Sequence, residues 1–268
     1  MYLADYHTHS TCSDDGNNTM TEMAAAGARA GLDEICLTDH LDIVSWQGEQ
    51  VTEHSWQNAR EQYAAACAAL DGKIKIRLGV ELGQATEDFA RADRFLYDAP
   101  PLDFIIGSLH NLTWEYGRKD FCTLEQADEA FAKQAIASYL TEMQALADWG
   151  RFSVIGHFTL PLRYLNENLG LQMTFAGFEE QIAEIFKTII PKGIGIELNT
   201  NRGNTPLPDR DVLKLYRDLG GELITLGSDA HTPEYVGCVI PERQKLLRDL
   251  GFRYFATYEG LKPIYHKL

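Results

Sequence analysis

Six histidines (His7, His9, His40, His110, His157 and His231) and three acids (Asp15, Glu81 and Asp229) fall at or just beyond the ends of short apolar runs. Imidazole nitrogens and carboxylate oxygens together form the usual ligand set for zinc, manganese or iron. Side chains two residues apart on a strand share a face, so Asp5, His7 and His9 are expected to point together. A lone histidine at a strand end is ordinarily a satisfied structural residue; its recurrence at one strand after another argues for a metal site. Nine such groups exceed the demand of one ion, and two or three divalent ions, bridged by a carboxylate or water, is the natural count. Asp5 and Asp39 are expected to fix imidazole tautomers. Asp14, Asp42 and Glu197 read as turn, cap or supporting residues, and His54 and His266 as solvated.

These groups need a frame that brings them to one place. Seven apolar, β-rich runs lie at Tyr2–His7, Glu34–Thr38, Lys75–Val80, Phe104–Ser108, Phe152–Gly156, Gly193–Leu198 and Glu222–Gly227, nearly continuous in apolar character, as strands buried on both faces should be. Between them lie helical patterns. Thr19-x-x-Glu22 is a capping box opening a helix that stops at Gly31. Thr123-x-x-Gln126 reads as the start of a longer helix ending at Gly150, and Phe178 to Ile189 form a third stripe, stopped by Pro191. No linker, repeat or low-complexity tract divides the chain, so residues 1–268 read as one α/β domain. In a closed β/α barrel the strands' C-terminal ends converge on one mouth, whereas an open sheet would spread them along an edge. The histidine placement therefore favours the barrel.

Composition narrows the functional classes. Lys plus Arg number 24 against 39 Asp plus Glu, a formal charge of −15, which argues against a protein that works by neutralising nucleic-acid phosphates. The five cysteines are odd in number and lack a CxxC pair, fitting a reducing compartment. There is no run long enough to span a bilayer and no leader-like start. The expectation is a soluble cytoplasmic protein, with no membrane or nucleic-acid partner and an oligomeric state left open.

The ordered set His7-Thr8-His9, Thr38-Asp39-His40, Glu81, Gly107-Ser108-Leu109-His110, Gly156-His157 and Ser228-Asp229-Ala230-His231 resembles the PHP (polymerase and histidinol phosphatase) metal-dependent phosphoesterases, from residue 7 to residue 231. Within that family, the runs Lys73–Ile76 into Gly79-Val80-Glu81, Phe104–Ser108 and Glu197–Thr200 are most similar to the histidinol-phosphate phosphatase branch. The resemblance implies a distorted (β/α)7 barrel, TIM-like, with the metals at the C-terminal ends of the strands. It implies a trinuclear site of Zn, Mn or Fe held by His7, His9, Asp15, His40, Glu81, His110, His157, Asp229 and His231, with Glu81 bridging. Arg163 and Arg202 are similar to the family's substrate-phosphate contacts. The sequence departs from the family at Thr159, where an acidic residue is frequent, and in the short run before Arg202.

The expected reaction is hydrolysis of a phosphate monoester, L-histidinol phosphate first, by a hydroxide bridging two ions, with Arg163 and Arg202 on the phosphate and Asp229 or His231 aiding the leaving group. Alternatives are a PHP enzyme acting on sugar or nucleotide phosphates or on diesters, an amidohydrolase-type enzyme, or a metal-binding domain without catalysis.

Overall fold

The computed structural model describes all 268 residues. Parallel strands β1 (Ala4–Asp5), β2 (Glu34–Leu37), β4 (Lys75–Gly83), β5 (Phe104–Ser108), β6 (Val154–Ile155), β7 (Gly195–Asn199) and β8 (Ile224–Gly227) pair in that order. The short β3 (His40–Asp42) also pairs with β4, and it does so in the register that β2 sets, Leu37 opposite Leu78 and His40 opposite Glu81. β2 and β3 are therefore one strand interrupted at Thr38 and Asp39, and seven staves form the wall. The wall closes where Tyr6 N–H donates to Leu226 O at 2.8 Å, His9 N–H donates to Ala230 O at 2.9 Å, and Thr8 bridges Ala230 in parallel. The expected barrel is what the chain forms. The second stave runs on to Asp42, four residues beyond the Thr38 end that the sequence suggests, and so carries His40.

Helices α1 (Met20–Arg29), α2 (Gln57–Ala69), α3 (Phe89–Tyr97), α4 (Glu129–Trp149), α5 (Glu179–Ile189), α6 (Arg210–Asp218) and α7 (Ile240–Asp249) surround the barrel. Strand side chains that point outward pack against them, in one contiguous core of 66 buried residues. The capping box at Thr19 forms in full, its hydroxyl accepting from Glu22 N–H and Glu22 reaching back to Thr19 N–H. The second box does not: α4 begins at Glu129, with Asp128 accepting from Phe131 N–H at 2.8 Å. Residues 121–123 form a short 3-10 turn instead, capped by Asp120. Two caps of the acidic type, at Asp120 and Asp128, displace the Thr123 pattern.

The far end of the barrel is sealed by an antiparallel hairpin, β9 (Tyr254–Glu259) and β10 (Lys262–Lys267). Tyr258 N–H donates to Tyr6 Oη, and Tyr6 Oη–H faces both Tyr258 O and Glu34. The tail without a motif is thus the barrel's floor. His266 belongs to it rather than to solvent, stacked on Tyr2 at 4.0 Å between ring centroids. His54, by contrast, is exposed, edge-on to Trp56. No helix is long and apolar enough to cross a membrane.

Candidate metal centre

Glu81 occupies the middle of the mouth and is fully buried. It sits on β4 one place after Val80, so it faces inward where Val80 faces the helices. Its Oε2 lies 3.1 Å from His7 Nε2, 3.1 Å from His40 Nδ1 and 3.5 Å from His9 Nε2. Its Oε1 lies 2.8 Å from His157 Nε2 and 3.1 Å from His110 Nε2, and accepts from Ser108 Oγ at 2.6 Å. One carboxylate therefore spans five imidazoles, divided between its two oxygens. Asp229 supplies a second centre, with Oδ1 3.4 Å from His9 Nε2 and 3.6 Å from His7 Nε2. Its backbone is left-handed, φ 57°, unusual for a residue with a side chain and frequent at functional positions.

The predicted ligands thus come together. Overlapping groups form from His7, Glu81 and His157; from His7, His9 and Asp229; and from His9, His40 and His231, with the donor atoms of each group within 4.8 Å of one another. Asp15 stands at the rim, more than half exposed, its Oδ2 2.9 Å from His231 Nε2. Asp42, read from sequence as a turn, cap or supporting residue, joins a further group with His40 and His110, its Oδ1 3.6 Å from His110 Nδ1.

The donor set fits divalent ions. His7 Nε2, His9 Nε2, His40 Nδ1, Asp42 Oδ1 and Glu81 Oε2 are buried without a hydrogen-bond partner. Orphaned buried polar atoms are rare in folded proteins, because each costs roughly 1–3 kcal/mol. Five in one place, all of them imidazole nitrogen or carboxylate oxygen, suit divalent ions. Glycines keep it roomy: a Cβ at Gly83 would strike Asp42 and sit 3.2 Å from His110 Nδ1, and one at Gly227 would strike Glu197 and His7.

Charge coupling within the cluster is strong. Burial disfavours the imidazolium of His7, but the carboxylates of Glu197, Glu81 and Asp229 outweigh it and hold its pKa well above the usual range. The same contest, won by Asp42 and Glu81, raises His40 to about 9. Burial together with the neighbouring His231 and His40 pushes His9 far down. Burial disfavours the charged form of Glu81, yet His7, His110 and His40 keep it well below the ordinary carboxylate range. Metal binding to these groups would displace protons.

The supporting residues match the sequence reading in part: Glu197 is one of them, whereas Asp5 and Asp39 do not hold an imidazole directly. Glu197 Oε1 lies 2.7 Å from His7 Nδ1, and its Oε2 accepts from His157 N–H at 2.6 Å. It fixes the His7 tautomer with Nε2 free, the role expected of Asp5 and Asp39. Asp5 instead accepts from Ser228 N–H and Oγ and from Gly237 N–H, pinning the exit of β8. Asp39 holds Ser10 and Ser13, and Ser13 Oγ in turn lies 3.2 Å from His9 Nδ1. It reaches an imidazole only through that hydroxyl. The alternation along β7 is the signal that could have shown Glu197 facing inward.

The two arginines part company. Arg163, largely buried, donates from Nη1 to Asp229 Oδ2 at 2.8 Å, from Nε to Asn201 Oδ1 at 2.8 Å and from Nη2 to Asn199 Oδ1 at 3.2 Å. Arg202 is exposed and lies over the Tyr235 ring, 5.2 Å from its centroid. Thr159 is buried with its hydroxyl unpartnered. With Nδ1 donating to Asp229 O at 3.0 Å, His231 has only Nε2 left for chemistry. All five cysteines are free thiols, and none is among the ligand groups.

The PHP domain family model matches residues 5–201, which leaves Asp229 and His231 beyond the matched stretch. The chain is 28% identical over 267 residues to the histidinol-phosphatase of Lactococcus lactis, with 98% of this chain and 96% of that one covered. A Deinococcus radiodurans relative named "Probable histidinol-phosphatase" is 27% identical, with 94% and 95% covered. A crystal structure of the histidinol phosphate phosphatase from Lactococcus lactis, complexed with Zn, L-histidinol and phosphate, shares the fold at a TM-score of 0.81 and 25% identity, covering 98% of each chain.

Proposed function

The chain belongs to the PHP-domain family, and from that premise we propose that it hydrolyses L-histidinol phosphate to L-histidinol and phosphate, using two or three divalent ions. The observation that carries the reading is Glu81: a buried carboxylate offering each of its oxygens to a different set of imidazoles, with the nitrogens of His7, His9 and His40 that face Oε2 unpartnered and Nε2 of His110 and His157 within hydrogen-bond distance of Oε1. That carboxylate and the imidazoles around it would hold divalent ions, which would supply Lewis acidity there. The Lactococcus lactis structure, alike along nearly the whole of both chains, holds zinc, L-histidinol and phosphate.

In this reading His7, His9, Asp15, His40, Glu81, His110, His157, Asp229 and His231 hold the ions, with Asp42 orienting His110. When bound, the ions supply an acidified water as the nucleophile and positive charge for the phosphoryl oxygens. Every other part belongs to the chain. Glu197 and Ser13 turn the metal-facing nitrogens of His7 and His9 inward. Arg163, its charge stabilised by Asp229 against burial, keeps one N–H on each terminal nitrogen for a phosphoryl oxygen, a fork that suits phosphate geometry. Arg202, free of ion pairs, closes on the phosphate from the rim. His231 Nε2 serves as a ligand or as proton donor to the departing alkoxide, never as both. No serine or cysteine nucleophile is required.

Phosphate release by metal-reconstituted protein tests the assignment, with L-histidinol phosphate run beside sugar phosphates, nucleoside monophosphates and phosphodiesters. A kcat/KM at least ~100-fold above the rest, about 2.7 kcal/mol of discrimination, is expected. Flat or diester-preferring activity would discard the substrate. Arg202→Ala should raise KM and leave bound metal intact; loss of metal would sink its assigned role.

A further inference from the structure

The turn after β7 carries two consecutive residues with side chains in the left-handed region, Asn201 at φ 48° and Arg202 at φ 52°. That backbone is disfavoured for every residue but glycine, with asparagine among the least penalised. Asn201 is 2% exposed, and its amide is used completely. Nδ2 donates to Glu167 Oε1 at 2.7 Å and to Thr205 O at 2.9 Å, while Oδ1 accepts from Arg163 Nε at 2.8 Å. Its backbone N–H donates to Asn199 Oδ1, the same oxygen that Arg163 Nη2 contacts.

Glu167 lies in the π-helical turn Arg163–Asn168, which Arg163 itself opens. Its Oε2 accepts from Asn204 Nδ2 at 2.9 Å, on the far side of the same turn. From α7, Arg243 Nη2 donates to Thr200 O at 3.0 Å and to Asn204 O at 2.5 Å. The 200–204 turn is therefore tied on two sides, and Asn201 connects it to the guanidinium. A residue needed only for its backbone would turn its side chain to solvent or to its own turn. Here two of the three side-chain bonds cross to the segment after β6.

We propose that Asn201 is a positioning residue for phosphate binding: it locks the Arg163 fork across Asp229 before the anion arrives. The proposal rests on the reading of Arg163 as a phosphate contact. The position calls for one acceptor toward a guanidinium, two donors toward Glu167 and a peptide carbonyl, and tolerance of φ near +50°. Asparagine meets all three. Aspartate would offer acceptors only and set like charge against Glu167, and glycine would satisfy the backbone alone.

The test uses Asn201→Gly, which keeps the backbone conformation open while removing the amide, alongside Arg163→Ala and the double variant. Binding of inorganic phosphate to the metal-loaded protein is read by calorimetry, which needs no turnover, together with kcat and KM. Asn201→Gly should weaken phosphate binding and raise KM by roughly 10- to 100-fold, the scale of a misplaced binding group. Metal content should not change. Combined with Arg163→Ala it should add at most about 2- to 3-fold, because the two groups act as one unit. Wild-type behaviour in Asn201→Gly, or effects that multiply in the double variant, would overturn the proposal while leaving the Arg163 reading in place. Unchanged phosphate binding in Arg163→Ala would remove that reading and the proposal with it. Should Asn201→Gly fail to fold, Glu167→Ala, at an exposed position, should show the same non-additivity with Arg163→Ala at a smaller amplitude; additivity there counts against the proposal equally.

Discussion

Two glutamates on neighbouring staves of the barrel, Glu34 at its floor and Glu81 at its mouth, are both fully buried. Glu34 is surrounded by finished partners: Tyr6 Oη at 2.5 Å, Tyr2 Oη at 2.6 Å and Arg77 Nε at 3.0 Å, with Lys75 Nζ at 3.5 Å. Arg77 in turn reaches Asp103 and Glu259, so the floor is a closed network of donors and acceptors. Glu81 meets three imidazoles, those of His7, His9 and His40, whose facing nitrogens have no partner, and its own Oε2 is among the orphans. The floor's polar groups satisfy one another and hold the fold; the mouth leaves buried polar atoms unpaired on the Oε2 side of Glu81. Burial of a charge alone does not distinguish structure from function. Completeness of its hydrogen bonding does.

That contrast can be broken by experiment. Glu81→Ala should have the largest effect, removing metal and activity together, with kcat down on the order of 10³-fold or more. Elemental analysis beside an activity assay decides it, and full metal content in an inactive Glu81→Ala protein would contradict the bridging role. Glu34→Ala should do the opposite. Losing one partner of a buried ionic network costs about 3–5 kcal/mol of stability, read as a lower denaturation midpoint, while the surviving folded protein keeps its metal and its KM. Glu197→Gln should fall between, lowering metal affinity by roughly 10- to 100-fold through the freed His7 ring, with a melting temperature near wild type in excess metal. If Glu197→Gln melts early even when saturated with metal, Glu197 belongs with the floor.

Much of the mouth could be read from the chain because its ligands are of chemically distinctive types and lie in order along it. His7-Thr8-His9 and the recurring strand-end histidines needed no knowledge of packing. The seven staves followed from apolar runs that a parallel sheet requires, and the Thr19 cap from a pattern whose partners are three residues apart. What escaped depends on distant partners. Glu197 and Asp5 are both acids on inward positions, and only the register between β1, β7 and β8 decides which one touches an imidazole. Asp42 depends on the interruption at Thr38–Asp39, which no local pattern marks. The Thr123 box lost to caps at Asp120 and Asp128 that local sequence favours equally. The hairpin at the floor alternates too weakly for the sequence to tell a final strand from a packing segment, and it lies against the hydroxyl of Tyr6 at that end of the barrel.

The seam between β1 and β8, where His9 N–H meets Ala230 O and Thr8 bridges Ala230, has a consequence for biosynthesis. The first histidines leave the ribosome early, and their partners Asp229 and His231 emerge more than two hundred residues later. At roughly 5–20 residues per second, His7 and His9 wait on the order of ten seconds or longer for the stave that completes their shell. An ion captured in that interval would meet only part of the candidate ligand set. The candidate site is thus completed by the most C-terminal stave of the barrel.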